Sequence, residues 1–263
     1  MEVTETKGLI LFSRDHKEKD KLVKIFTESY GKQMFFVKNA HRKNNPLTPA
    51  LMNFTEAVYF GAIHPEGLSF LNGAKEVRPF RAIQQDIFLT AYGTYLLNLV
   101  DAAIEDRVYD PHLYDFTRQA LTQLEQGRDP EIITNIFELQ LLQRFGVSPQ
   151  LDHCSICGRQ EGVFDYSSKY GGVLCERHFD QDLHRYHADP KAIYFARLFQ
   201  NISFEQINRI EVKPATKEGL RRFLDALYDE YVGLHLKSKR FLDQMQNWSG
   251  ILRKDSETPD ENL

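Results

Sequence analysis

The sequence predicts an α+β protein, with a small N-terminal β-barrel followed by a helical domain that carries a short cysteine-bearing insertion. Three observations predict it: apolar residues alternate in short runs through the first 80 residues, they recur at helical spacing from residue 82 onward, and all three cysteines lie between 154 and 175. At 263 residues and 42% hydrophobic side chains the chain can bury a substantial core.

Five β-branched or aromatic runs make the barrel: Gly8–Phe12, Leu22–Phe26, Met34–Val37, Ala57–Phe60 and Leu68–Leu71. Tyr30-Gly31-Lys32, Pro65-Glu66-Gly67 and Asn72-Gly73 read as turns. Five short strands within residues 1–80 suit a closed or nearly closed barrel, either an OB-fold or an SH3-like barrel, and the pattern does not separate the two.

From Ala82 to Asp106 one helix is expected, with Ile87, Phe88, Ala91, Tyr95, Leu96, Leu99, Val100 and Ala103 on its buried face. Pro111 opens the next and Gly127 closes it, and a third runs from Asp129-Pro130 to Gly146. Ile193–Phe199 reads as a short helix. Leu220, Phe223, Leu224, Leu227, Tyr228, Tyr231, Leu234 and Phe241 then keep helical spacing in one long element. Its last turns carry Lys237, Lys239 and Arg240, which suits the negative end of a helix dipole. The expected organisation is a barrel over 1–80, a helical domain over 82–150 and 188–245, an insertion over 151–187 and a disordered polar tail over 246–263.

No run of about 18 apolar residues occurs, and the N-terminus lacks the apolar middle and cleavage site of a secretory signal, so a cytoplasmic protein without a membrane span is expected. The net charge of -4 argues against a uniformly basic nucleic-acid binder. Its distribution is uneven. Residues 1–81 carry 13 Lys and Arg against 9 Asp and Glu, which leaves 20 against 28 for the remainder.

The cysteines stand as Cys154-x-x-Cys157, then 17 residues, then Cys175-x-x-His178. That is the spacing of a Cys3His zinc site, two short knuckles joined by a hairpin formed by Gly162–Tyr166 and Gly172–Leu174. His153, His184 and His187 lie near enough to compete with His178 for the fourth position. Four protein ligands would close the coordination shell and make the zinc structural, because a catalytic ion keeps a position open for water. A nucleobase deaminase pairs H-x-E with P-C-x-x-C; His64-Pro65-Glu66 offers the first, but His153 precedes Cys154 where proline belongs. Residues 150–188 carry four basic residues against six acidic ones, so phosphates would not be drawn to this segment. Phosphate loops, dinucleotide fingerprints, H-E-x-x-H and G-x-S-x-G are absent from the sequence, and the pairs Glu105-Asp106 and Asp180-x-Asp182 read as solvated surface.

The candidate binding site lies in the barrel. Lys38, His41, Arg42 and Lys43 follow directly on the third strand, and Lys32, Lys24, Lys7 and Arg14 extend the stripe. Phe12, Phe35, Phe36, Tyr59 and Phe60 are the candidate stacking platforms of a single-strand binder, most of them expected in the barrel core. A protein-interaction module that contains zinc and binds no DNA directly is the competing class.

The order of parts resembles the RecO family of bacterial recombination mediators over about residues 1–245. The marks are Thr27–Lys32 followed by Val37–Lys43, then Phe145–Cys154, Gly171-Gly172 before Cys175, and the closing segment Leu234–Leu242. The resemblance implies an OB-fold, binding of single-stranded and double-stranded DNA, strand annealing, and loading of RecA onto strands coated by single-strand-binding protein. It also implies two partners, RecR and the acidic C-terminal tail of single-strand-binding protein, a nucleoid-associated location and no enzymatic activity. Two departures stand out. His178 occupies a place often held by a fourth cysteine in zinc-bearing members, and Asn39 replaces a glycine of the basic segment.

Overall fold

A computed structural model describes residues 3–207 and 210–256, with side chains described through residue 246. Two compact units arise, one made of the chain up to Arg128 together with the segment from His235 onward, the other of Asp129–Leu234. This differs from the expected division, because the helices after the barrel pack on it rather than forming a domain with the later ones.

In the first unit the strands are β1 (Thr4–His16), β2 (Asp20–Thr27), β3 (Gly31–Val37), β4 (Thr55–Ala62) and β5 (Ser69–Pro79). They close in the order β1-β2-β3-β5-β4, antiparallel except for the β3/β5 pair. That five-stranded Greek-key closure is OB-like, and it settles the alternative the pattern left open. Ile10, Val23, Ile25, Phe35, Val37, Ala57, Tyr59 and Leu71 fill the interior. Asn72-Gly73, read as a turn, lies inside β5. The Phe60 ring sits where a Gly73 side chain would be, with its Cζ 2.1 Å from an ideal Cβ, and the register shifts beside it; the glycine marks a bulge.

The expected helix from Ala82 breaks into α1 (Arg81–Gln85) and α2 (Ile87–Ala103). Asp86 is the cause: its carboxylate accepts from the N–H groups of Phe88 and Leu89 at 2.7 and 2.9 Å and starts a new helix. Ile87 and Phe88 are consequently exposed instead of buried. The helix α3 (Pro111–Glu125) returns its terminal Glu125 carboxylate to the N–H groups of Ala82 and Ile83, capping α1. Tyr114 of α3 meets the barrel, edge-on to Phe26 and donating to Glu56 at 3.1 Å.

The barrel is fixed to α2 by charge. Lys32 of β3, whose side chain is 2% exposed, places Nζ 2.9 Å from an Asp101 carboxylate oxygen and donates also to the Asp101 carbonyl. Lys24 lies 2.6 Å from Asp101 and 2.9 Å from Asp106. Burial opposes the Lys24 charge, but the two carboxylates outweigh it and raise its pKa. Burial likewise opposes the Asp106 charge, and Lys24 with Lys32 still holds that carboxyl below its ordinary value.

The second unit packs α4 (Pro130–Leu141), α5 (Pro190–Phe199) and α6 (Pro214–Leu227) around Ile133, Ile136, Phe137, Ile193, Phe199, Leu220, Phe223 and Leu224. Asp129 caps α4 and pairs with Lys217 of α6. Between α4 and α5 lies the expected hairpin, β6 (Phe164–Ser167) and β7 (Gly172–Cys175).

The long C-terminal helix is interrupted. After α6 a wider turn over Tyr228–Val232 ends at Gly233, at φ 63°, and α7 (Lys237–Ser256) starts afresh. Lys237, Lys239 and Arg240 therefore stand in the first turn of α7, at the positive end of its dipole, and Lys239 is offset by Asp243 at 2.7 Å. The helix also continues past residue 246, where a disordered tail was expected, and residues 257–263 lie outside the described residues.

Removing one partner of a buried pair strands the other charge. We expect Asp101→Asn to lower unfolding free energy by about 3 kcal/mol in a urea titration, and Lys32→Met, which removes the stranded charge itself, to cost less.

Candidate nucleic-acid face and metal centre

The expected cation stripe divides. Lys24 and Lys32 face Asp101 and Asp106, so their charge is already met. Lys7 is exposed but pairs opposite Val58 in the first half of β1, seven residues from Arg14, a separation of about 23 Å along a strand. The rest gather at one end. The Asn39 N–H donates to Asp20 at 2.8 Å, the His41 N–H to the Lys19 carbonyl at 3.2 Å, and the His41 ring meets Asp15 at 2.9 Å. These bonds bring Lys38, His41, Arg42 and Lys43 to the β1–β2 turn, beside Arg14 and two cations the sequence reading passed over, Lys17 and Lys19. Among the described residues, Arg14, Lys17, Lys19, Lys38, Arg42 and Lys43 are exposed and have no carboxylate at ion-pair distance.

Beside them opens a cleft of about 720 Å³, bordered by Lys21, His41 and Arg42, with Met52 and Phe54 among its apolar lining. Asp15 lies 3.4 Å from Lys21, whose hydrogen bond, with burial opposing and His41 assisting, holds the carboxyl below its ordinary pKa. Of the candidate platforms, Phe35 and Tyr59 are in the core, and the Tyr59 hydroxyl donates to the Ala50 carbonyl at 2.7 Å. Phe12 lies under Lys24, and Phe60 covers Gly73. Phe36 is partly exposed on the outer face of β3, two residues before Lys38.

In the second unit, Cys154, Cys157, Cys175 and His178 converge, with all four ligand atoms within 4.8 Å of one another. Cys154 Sγ and Cys175 Sγ lie 3.5 and 3.4 Å from His178 Nδ1, and Cys157 Sγ lies 3.8 Å from Cys175 Sγ. A tetrahedral ion with bonds of about 2.3 Å to sulfur and about 2.0–2.1 Å to nitrogen needs edges of about 3.8 and about 3.5 Å, so the set can hold one. His153, His184 and His187 are not among the clustered ligands; the His153 ring lies near Gln150 and the His187 ring against the Leu183 carbonyl. His64 belongs to the barrel, edge-on to Phe70, and is not among the clustered ligands.

Local chain geometry produces the knuckle. Gly158, at φ 70°, donates to the Cys154 carbonyl at 2.8 Å, and the Cys154 N–H donates to the Arg159 carbonyl at 2.8 Å. Burial pushes the Cys154 thiol up, but N–H groups of Cys157, Cys175 and Ile156 together with the His178 ring bring it down to about 6; burial raises Cys175. Arg197 of α5 braces the segment, donating to the Asp152 and Gln160 carbonyls at 2.6 and 2.9 Å with its guanidinium over Phe164. Of the remaining carboxylate candidates, Asp106 meets Lys24 and Asp182 accepts from the Ser167 hydroxyl.

The family model described as Recombination protein O N terminal matches residues 1–80, and that described as Recombination protein O C terminal matches residues 84–240. The chain belongs to the RecO family. It is 66% identical over 253 residues to a DNA repair protein RecO of Enterococcus faecalis, covering 96% of this chain and 97% of that one. Counterparts in Lactococcus lactis and Streptococcus suis are 50% and 47% identical, over 96% and 98% of this chain and 100% and 98% of theirs. Two of the RecO marks gain a physical reading. Thr27 Oγ1 donates to the Gly31 carbonyl at 2.7 Å and closes the turn, while Gly31, at φ 64°, leaves no room for a side chain against the Val108 carbonyl. Asn39, the departure in the basic segment, sits at φ 53°, a left-handed conformation that asparagine tolerates better than most residues, so the turn is kept.

If His178 is the fourth ligand, His178→Ala will cut the divalent metal retained after mild dialysis, measured by elemental analysis. His153→Ala, His184→Ala and His187→Ala will retain it.

Proposed function

We propose that the chain acts in DNA repair and recombination as a DNA-binding mediator. Its barrel holds single-stranded and double-stranded DNA by their phosphates, anneals complementary strands, and helps load RecA onto strands coated by single-strand-binding protein. The observation that carries this reading is the cluster of unpaired cations, Arg14, Lys17, Lys19, Lys38, Arg42 and Lys43, on one end of an OB-like barrel in a chain of net charge -4. The names of its relatives, DNA repair proteins throughout those described, support the same role. Annealing requires no bond-making chemistry, in keeping with a protein that is not an enzyme. It requires backbone contacts that leave base edges free, and counterion release then makes binding depend on salt.

RecR and the acidic tail of single-strand-binding protein are the partners that the family resemblance supplies, and we assign them to the helical regions. The work would take place at the nucleoid, in the cytoplasm; no helix among the described residues is long and apolar enough to cross a membrane. The metal we assign is zinc, since three thiolates and an imidazole at tetrahedral edges suit it. Bound there, it would cross-link the two knuckles of a hairpin too small to be stable by burial alone.

Arg42→Ala with Lys43→Ala is expected to weaken single-stranded DNA binding and to reduce the slope of log affinity against log salt by about 1.4, about 0.7 per lost phosphate contact. Strand annealing, with and without single-strand-binding protein, should fall in parallel, whereas Lys7→Ala should change neither. Unchanged affinity and slope in the double variant would favour a protein-interaction module instead.

A further inference from the structure

The outer face of the barrel carries a row of rings next to the free cations. Cross-strand register places Arg14 opposite Leu22, Leu22 opposite Phe36, and Phe36 opposite Phe70, one line across β1, β2, β3 and β5. His16 meets Phe36 with centroids 5.9 Å apart, Phe36 meets Phe70 at 6.0 Å, and Phe70 meets His64 of the β4–β5 loop at 5.6 Å, all edge to face. None of the four is in the core, and Phe70 is 47% exposed. Lys38 is exposed in the turn that follows β3, two residues beyond Phe36.

We propose that His16, Phe36, Phe70 and His64 form a base-stacking platform that makes this barrel prefer unpaired strands, with Phe70 as its principal ring. The inference rests on the DNA-binding reading of the barrel and adds to it what the cations cannot supply. Phosphate contacts hold single strands and duplexes alike, and a duplex carries about twice the charge per unit length, so cations alone give no preference for unpaired strands. Rings discriminate, because only an unpaired base can turn its face to them. The exposure also needs a reason. Half of a phenylalanine left in water beside a dense cationic patch has no folding advantage, whereas a base covering it regains the apolar burial.

The test compares three labelled probes by anisotropy on the full chain: a single-stranded oligonucleotide, a duplex of the same length, and a single-stranded abasic-spacer oligonucleotide with the same phosphates and no bases. The wild-type chain should bind the base-bearing strand more tightly than the abasic one. Phe36→Leu with Phe70→Leu should lower affinity for the base-bearing strand at least fivefold, to near the abasic value, and leave duplex affinity and the salt slope unchanged. Phe70→Trp, which keeps a ring, should retain affinity and show fluorescence quenching by the base-bearing strand but not by the abasic one, a readout independent of any folding loss in the leucine variant. Equal wild-type affinity for the base-bearing and abasic strands, or no quenching in Phe70→Trp, overturns the platform. If salt-dependent binding that requires Arg42 and Lys43 persists in that case, the DNA-binding reading stands without it. Absence of binding to all three probes overturns both.

Discussion

A lysine buried in the wall of the barrel sets most of the first unit. Lys32 is 2% exposed, and a charge taken that far from water must be met by an opposite charge in fixed geometry. Asp101 meets it from the last turn of α2, where exposed helix carbonyls also favour a cation, and the Asp101 carbonyl accepts a second bond from the same ammonium. Lys24 and Asp106 extend the pair to a four-residue network. The barrel can therefore not be treated as a module followed by helices; α2 is held against β2 and β3 by charge, and α3 adds Tyr114 and the Glu125 cap. Neutralisation is also local. Asp101 and Asp106 are used on the β2–β3 wall, while at the loop end Asp15 meets only Lys21 and His41, and among the described residues Arg14, Lys17, Lys19, Lys38, Arg42 and Lys43 have no carboxylate at ion-pair distance.

The second unit solves a different problem. A hairpin with strands of four residues buries too little to fold by itself, and three acidic side chains are spent holding its edges: Asp165 meets Arg185, Asp182 meets Ser167, and Glu176 meets Arg159. The candidate metal-ligand set lies at one end of the same hairpin, with Cys175 closing β7 and His178 in the turn that follows. Arg197, with its guanidinium over Phe164, links the hairpin to α5 through packing and two carbonyl contacts, so the segment is joined to the helices by ordinary side-chain chemistry as well.

What could be read from the sequence was what depends on short-range spacing. Alternation located all five barrel strands, and the two x2 knuckles located four candidate ligands that the fold then brings within 4.8 Å. What could not be read depends on which of two compatible signals wins. Asp86 interrupts an apolar period that runs smoothly through it, since capping needs one side chain and periodicity does not reveal the break. Gly233 does the same between α6 and α7, where the apolar residues on both sides keep helical spacing and hide that they serve different units. The cations show the limit most plainly. Lys24 and Lys32 are indistinguishable in sequence from Arg14 and Lys38, and only their partners 69 to 82 residues away, Asp101 and Asp106, decide that they hold the fold together. Phe70 was read as part of a strand, and its neighbour Phe36 comes from a strand paired in parallel, a relation no local pattern contains.

On the proposed annealing role, cations and rings on one barrel face would have consequences beyond affinity. A strand held by phosphates alone leaves its bases stacked on one another, whereas a base laid on a ring keeps its pairing edge outward, because a ring occupies only the face. Such holding must also be reversible. Stacking on an aromatic side chain contributes roughly 1–3 kcal/mol per base, and a duplex step gains about 1.4 kcal/mol on average, so handing a base from ring to partner strand is near balance. A larger or fully buried platform would trap the strand; a bare cationic surface would present it without order. On that proposal, a half-exposed Phe70 with Phe36 and two histidines partly exposed beside it falls between these limits, and the lysines and arginines of the same end would keep hold of the backbone while the bases leave.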